Sequence, residues 1–199
     1  GMKRVRGPAS GYAMPLLLVE QSLAHADSEG PLHALHVDHG LQPAAADFVE
    51  HCRRFCEALH AQRSTQLAVG RARVQLPLGS SIEAQARAVR YDTLAQLALQ
   101  EGVDTVLLAQ HADDQVETLL IALGRGAGLA GLAGMAPAFE HQGVRFARPW
   151  LEVPAPQIRG ALRDHGIPFI EDPSNTDQRR TRNRLRLQVW PALSTAFPG

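Results

Sequence analysis

The chain has 199 residues, 45% of them hydrophobic, with 20 basic and 20 acidic side chains and a formal net charge of zero. That length and composition suit one α/β domain with ample chain to bury a core; the charge balance excludes a uniformly basic surface but leaves room for local basic patches. No stretch approaches the length of a membrane span, so no membrane partner is expected. Cys52 and Cys56 lie one helical turn apart. With no Cys-x-x-Cys and no secretory signal, they read as free thiols in a reducing, cytoplasmic compartment rather than a metal pair. Gly1-Met2 reads as a tag remnant before the start residue.

Residues 3–8 form a candidate first strand, although Lys3, Arg4 and Arg6 make it a poor buried one. The loop Pro8–Met14 follows, then a helix opened by Pro15 and running to Ala26. Residues 32–37 read as a second strand ending in Asp38-His39-Gly40, residues 44–61 as a helix, and 64–69 as a third strand. Ser81 can cap a long helix from Ile82 to about Gln100. Residues 104–110 are a fourth strand and 113–124 a helix. A glycine-rich loop, Arg125–Met135, carries Gly126, Gly128, Gly131 and Gly134, which let backbone amides approach a ligand. A flexible linker is the rival reading, but its Leu and Met residues want burial. Residues 137–150 hold two short strands around His141-Gln142-Gly143, Pro154–His165 is a helix ended by Gly166, and 168–171 is a last strand. An arginine-rich tail follows, Arg179 to Arg186. Strands alternating with helices predict an α/β fold: a parallel sheet with helices on both faces. The expected division is 1–135 for the main domain and 136–199 for a C-terminal part with the basic tail.

The stretch from Asp104 to Thr118 argues for a site. An apolar strand stops, exposes Gln110 and His111, and enters an amphipathic helix on which Val116, Leu119, Leu120 and Leu123 recur at helical spacing. Ligands in open α/β sheets bind beyond the carboxyl ends of the strands. Asp114 shares a helix face with Glu117 and with Thr118. The bland reading is capping and first-turn charge. The sharper one is a His and two carboxylates that could hold a cation, an amine or Mg²⁺.

Six segments, in order, resemble one family. They are His36-Val37-Asp38-His39-Gly40-Leu41, Glu83–Tyr91, Ala109–Thr118, the Arg125–Met135 loop, Arg148-Pro149, and Glu171-Asp172-Pro173-Ser174-Asn175 leading to Arg182-Asn183-Arg184-Leu185-Arg186. Together they resemble the catalytic domain of the tRNA(Ile)-lysidine synthetases, PP-loop ATPases of the ATP-pyrophosphatase (adenine nucleotide alpha hydrolase-like) fold. The resemblance implies an enzyme that uses ATP and Mg²⁺ to adenylate C2 of the wobble cytidine in the tRNA(Ile) with a CAU anticodon. The side-chain amine of L-lysine then displaces AMP. It implies that Asp114 and Glu117 hold the lysine amine, and that Ser10, Gly11, His36, Val37, His39 and Gly126 lie near the nucleotide. Arg87, His111 and Arg125 would line the phosphate and cytidine pocket as catalytic residues together with Asp114. Arg179, Arg182, Asn183 and Arg186 would meet the tRNA, and a homodimer is compatible with it. Each role has a plain rival. Arg87 and Arg90 could be helix-surface ion pairs, His36 a satisfied core histidine, His39-Gly40 a shaped turn, and the basic tail a solvated face.

The chain departs from that family at the phosphate loop, Ser-Gly-Gly-x-Asp-Ser, whose amides and hydroxyls cradle ATP at a helix N-terminus. The matching stretch is Ala9-Ser10-Gly11-Tyr12-Ala13-Met14, so Ala13 and Met14 stand where the Asp and Ser belong, and a one-residue shift places Met14 and Pro15 there. No Asp or Glu precedes Glu20. A degenerate paralogue, an altered enzyme, and an engineered or misread N-terminus all fit. The functional alternatives are an impaired lysidine-forming enzyme, a non-catalytic tRNA- or nucleotide-binding module, and a thiolating relative. The last is disfavoured by the missing Cys-x-x-Cys pairs. Lysidine synthetases usually carry further C-terminal domains beyond this segment.

Overall fold

The computed structural model describes residues 4–7, 32–38, 45–60, 65–71, 82–166 and 177–197. Its centre is a six-stranded sheet. In chain order the strands are β1 (Arg4–Gly7), β2 (Leu32–Asp38), β3 (Thr65–Arg71), β4 (Thr105–Leu108), β5 (Ala138–His141) and β6 (Val144–Ala147). Across the sheet they run β3-β2-β1-β4-β6-β5. All pairings are parallel except β5 with β6. The parallel sheet expected from the strand–helix alternation is therefore present, with one antiparallel strand at its edge. The predicted helix 15–26, the strand 168–171 and the segment Glu171–Asn175 lie outside the described residues.

The basic first strand, read as a poor candidate for burial, occupies the middle of the sheet. β1 pairs with β2 on one side (Val5 with His33) and with β4 on the other (Arg4 through Gly7 with Thr105 through Leu108). The chain winds outward from β1 to β3, then returns to place β4 on β1's other flank. The order thus reverses between β1 and β4, where such sheets open a crevice beyond their carboxyl ends. The segment after β1 and the segment after β4 both start there.

Helices α1 (Ala45–His60) and α2 (Ile82–Gln100) cover opposite faces. Side chains alternate across a strand, and β2 shows the consequence. Leu35 and Val37 join the cluster formed with Leu94, Ala95 and Ala98 of α2. His36 points the other way and sets Nδ1 3.9 Å from Cys52 Sγ on α1. The α2 helix spans the residues its sequence predicted. It ends at Gly102, whose φ of +66° is a left-handed stop, with Val103 N–H donating to Ala98 O at 2.8 Å.

The edge hairpin closes with Gln142 and Gly143 at φ +50° and +77°, the two positive values that a tight two-residue turn demands. It is joined to α2 by aromatic rings. Phe139 stacks on Phe146 at 5.1 Å, and Tyr91 meets Phe146 edge-on at 5.6 Å and Phe139 at 5.3 Å. Among the described residues no helix is long and apolar enough to cross a membrane.

Two outcomes follow from this packing. Phe146 is fully buried and touches three elements, so Phe146→Ala should cost about 3–5 kcal/mol of unfolding free energy in a denaturant titration. Cys52 and Cys56 are free and buried, and burial pushes each thiol up to about 11. A thiol reagent at about pH 8 should therefore label both only as fast as the protein unfolds, because the thiolate is the reactive form. Rapid labelling of the native chain would contradict that burial.

Candidate active site at the carboxyl edge of the sheet

β4 ends at Leu108, earlier than the expected Gln110. Pairing with β6 ends one residue earlier, at Leu107, while β1 pairs through Leu108 itself. Ala109, Gln110 and His111 leave the sheet and deliver the chain to α3 (Ala112–Gly124). His111 is the extended residue at the helix start. Its backbone N–H donates to Asp114 Oδ2 at 3.1 Å, while its Nε2 lies 3.6 Å from the same oxygen. Asp113 and Asp114 sit in the first turn, where the helix dipole favours negative charge. The capping role of Asp114 is thus real, and it also turns the imidazole edge toward a carboxylate. His111 is buried, and its Nδ1 has no partner among the described residues.

Glu117, one turn further on, is only 4% exposed. Its Oε1 accepts from Arg186 Nε at 2.8 Å and Nη2 at 2.5 Å, and its Oε2 from Arg182 Nη1 at 3.3 Å. Arg182 Nη2 also reaches Thr118 Oγ1 at 3.5 Å. Both arginines come from the tail: Arg182 from α5 (Thr181–Arg184) and Arg186 from the π-helical turn Leu185–Val189 that leads into α6 (Trp190–Ala196). One ion-paired cluster therefore joins the acid expected to hold an amine to the segment expected to meet RNA. Asn183 is a tether: it is buried, and its side-chain amide donates to Asp177 O at 2.9 Å. Arg179 faces solvent and forks onto Asp177 at 2.9 and 3.0 Å, which holds the Asp177 carboxyl below its usual range.

The glycine-rich loop is strapped to α3 by one side chain. Gln115 accepts from Met135 N–H at 2.6 Å and donates to Met135 O at 2.9 Å. Gly134, at φ +70°, leaves the space this needs, since a Cβ there would stand 2.9 Å from Gln115 Oε1. Met135 is buried as its sequence context suggests, whereas Leu129 is 90% exposed on the short 3-10 turn Leu129–Ala133 and does not follow that expectation. Arg87 on α2 points at this loop, with Nη2 3.8 Å from Met135 Sδ and its guanidinium 5.5 Å from the Tyr91 ring centre. Neither of these neighbours is a carboxylate, and among the described residues no ion pair of Arg87 is seen.

Not every candidate is brought to the same place. Arg125 and Gly126 follow the far end of α3, and thirteen helical residues rise about 20 Å, so they stand apart from His111 and Asp114. His36 and Val37 lie at the carboxyl end of β2 on opposite faces, Val37 packed toward α2. Ser10, Gly11 and His39 lie outside the described residues.

Arg148, the arginine of the Arg148-Pro149 motif, holds the site together. It is 6% exposed. Its Nε donates to Gln110 Oε1, its Nη1 to Ala136 O at 2.5 Å and its Nη2 to Tyr91 OH at 3.4 Å, and its plane lies 4.6 Å over Phe139. The only sequence signal was an arginine ending a strand of alternating apolar residues, followed by Pro149.

Beside His111 and Glu117 opens a cleft of about 170 Å³. The start of α3 forms one wall. The helix α4 (Ala155–Asp164) contributes Pro156 and Arg159, and the tail contributes Leu185, Arg186 and Trp190.

Comparison with known proteins fits this architecture. A family model described as a PP-loop domain matches residues 10–193. The chain belongs to the PP-loop domain family. It is similar to the tRNA(Ile)-lysidine synthase of Polaromonas naphthalenivorans, at 47% identity over 169 residues, covering 85% of this chain and 50% of that protein. The tRNA(Ile)-lysidine synthase of Bordetella bronchiseptica is 41% identical over 202 residues, 98% of this chain and 57% of its own. That of Pseudomonas fluorescens is 42% identical over 184 residues, 92% and 40%. The chain thus spans about half the length of these relatives. Among solved structures, the U34-tRNA thiolase NcsA from Methanococcus maripaludis with its [4Fe-4S] cluster superposes with a TM-score of 0.75 over 99% of this chain and 68% of that one. At 15% identity the likeness is one of fold.

A PP-loop domain handles ATP, and ATP brings the question of Mg²⁺. Among the described residues no three His, Cys, Asp or Glu side chains converge to hold a metal ion. Mg²⁺ is usually held through one or two carboxylates plus phosphate oxygens, so a protein cage is not required of this fold.

The Glu117 cluster predicts an asymmetry. Removing Arg182 and Arg186 together, as Arg182→Gln with Arg186→Gln, strands a buried carboxylate and should cost about 3–5 kcal/mol. Glu117→Gln should cost less, because the two guanidiniums are 27% and 30% exposed and water can take the carboxylate's place. Urea midpoints of the variants read this directly; a larger loss for Glu117→Gln would contradict it.

Proposed function

We propose that this chain is the ATP-dependent catalytic segment of a tRNA(Ile)-lysidine synthase. The observation that carries the reading is the conjunction at the α3 start: a buried acid, Glu117, bonded to two arginines of the basic tail, beside His111 and Asp114, in a PP-loop domain 41–47% identical to proteins of that name. Paired carboxylates suit a cationic amine through charge-assisted hydrogen bonds. Basic side chains suit an RNA backbone.

The chemistry divides into two steps. The C2 oxygen of the wobble cytidine in a CAU-anticodon tRNA(Ile) attacks the α-phosphorus of ATP, and pyrophosphate leaves. The uncharged side-chain amine of L-lysine then attacks C2, AMP departs with the oxygen, and the nitrogen loses a proton. Asp114 and Glu117 attract the lysine as its ammonium form, and His111 takes the proton, a role supported by its burial 3.6 Å from Asp114. The adenosine lies toward the tip of β2, near His36, Val37 and His39. The phosphates would meet Ser10 and Gly11, and Mg²⁺ would supply charge neutralisation there. Arg87, facing the glycine loop with no carboxylate partner among the described residues, is the cation closest in role to the leaving phosphates; Arg125 and Gly126 act from the far end of α3. Arg179, Arg182, Asn183 and Arg186 form the RNA-facing edge.

A second reading has its own observation. Ala13 and Met14 replace the acid and hydroxyl of the phosphate loop, and losing one transition-state donor costs on the order of 10²–10³ in rate. On that reading the chain binds tRNA or nucleotide without turnover. Pyrophosphate release with ATP, lysine and the CAU tRNA(Ile), measured on this chain and on Ala13→Asp with Met14→Ser, separates the two. Lysidine formed by the unaltered chain supports the enzyme. Release only after the two substitutions supports a site disabled at the loop. tRNA binding without release from either form supports the non-catalytic module.

A further inference from the structure

The cleft beside Glu117 has charged groups that the ion-paired cluster does not use. Arg159 on α4 is half-buried, lines the cleft, and has no carboxylate or carbonyl partner among the described residues. Asp113 lines the opposite wall, equally without a partner. The remaining surface is largely apolar, from Leu120, Pro156, Leu185 and Trp190. His111 completes it, with Nδ1 buried and unsatisfied.

The placement of Arg159 follows from the helix. Ala155, Ile158 and Leu162 turn into the core as one stripe. Pro156 and Arg159, three apart, share the face that looks into the cleft. The helix start is fixed by Pro154 and by Ala112 N–H, which donates to Val153 O at 3.1 Å and ties this wall to the start of α3. The free cation and the free anion are thus carried on two helices locked to each other at their first turns.

A cleft with one unpaired guanidinium, one unpaired carboxylate and an apolar wall between them is complementary to a free α-amino acid. A guanidinium binds a carboxylate through two parallel hydrogen bonds. An RNA backbone fits less well, because Asp113 and Glu117 would both repel phosphate. We propose that Arg159 is the specificity-determining residue for the amino-acid substrate. It holds the α-carboxylate while the carboxylates at the start of α3, with Asp113 joining Asp114 and Glu117, draw the ammonium groups, and Leu120, Pro156 and Trp190 cover the methylene stem. This rests on the reading of lysine as the amine substrate and adds what separates lysine from a simple diamine. Arg159 enforces attachment of an intact amino acid rather than of any primary amine.

The test is direct binding to the full chain, by titration calorimetry, of L-lysine and of cadaverine, which has the same two amines without the carboxylate. The wild-type chain should prefer lysine by tenfold or more. Arg159→Gln should weaken lysine about ten- to hundredfold, the range for a lost charge-assisted pair, and leave cadaverine within twofold. Arg159→Lys should restore part of the preference. Because Arg159 has no partner to lose among the described residues, the thermal midpoint of Arg159→Gln should match the wild type. Equal weakening of both ligands, or none, overturns the proposal while leaving lysine as substrate. A wild-type chain that binds neither ligand overturns the lysine reading and this proposal with it. If Arg159→Gln instead lowers tRNA affinity with lysine binding unchanged, Arg159 is a phosphate contact and the assignment is wrong.

Discussion

The buried guanidinium of Arg148 is the constraint on which the site's geometry depends. It stands just past the end of β6 and bonds to the tip of β4 through Gln110, to the end of the glycine loop through Ala136, and to α2 through Tyr91, while lying over Phe139 of β5. A guanidinium carries five donors in a rigid fork and cannot shed its charge. Burying it is costly unless those donors are met, so each partner must sit where the fork points. Five separate pieces of chain are thereby held in one arrangement. The glycine loop gains a second anchor one residue earlier through Gln115 and Met135. The segment between α3 and β5 is therefore fixed at its carboxyl end.

A second polar knot lies at the outer side of the same helix. Glu117 draws the tail across the start of α3, and Asn183 and Asp177 hold that tail in shape. The two knots differ in what surrounds them. Arg148 is buried with neutral partners and an aromatic face, so its role is architectural. Glu117 is buried with partly exposed cations, and its charge can be shared with an incoming ligand if an arginine yields. Any amine that reaches Glu117 must compete with Arg186, and any phosphate that reaches Arg186 must compete with Glu117. Binding of the two ligands is then coupled through one carboxylate, with the reciprocity such linkage requires.

Much of the fold was legible because its signals are local. The α2 helix begins after Ser81 and stops at Gly102 for reasons contained in a few residues, and the hairpin turn at Gln142-Gly143 needs only positive φ at two positions. Alternation predicted a parallel sheet, but not the neighbour order β3-β2-β1-β4-β6-β5, which depends on where each connection returns the chain. The exact end of β4 was not legible, because it is set by where β1 and β6 stop. Nor could the chain's order reveal Arg148 against Gln110, Ala136 and Tyr91, or Glu117 against Arg186, since those partners are up to 69 residues apart. The motif around His111 and Asp114 was visible as residues. That Asp114 serves the helix start and the imidazole at once was visible only in space.

The distribution of intact and altered chemistry bears on what the chain retains. The pieces that would recognise amine and RNA, namely Asp114, Glu117, Arg182 and Arg186, are present and mutually bonded or capped. The substitutions at Ala13 and Met14 fall in the piece that would hold phosphates. These two functions draw on different physics. Amine and RNA recognition here depends on side-chain charge, which a single substitution removes. Phosphate binding at a helix start depends mainly on backbone amides and the dipole, which survive a change of side chain. Loss of an acid and a hydroxyl from a phosphate loop of this kind is therefore expected to slow turnover before it abolishes nucleotide binding.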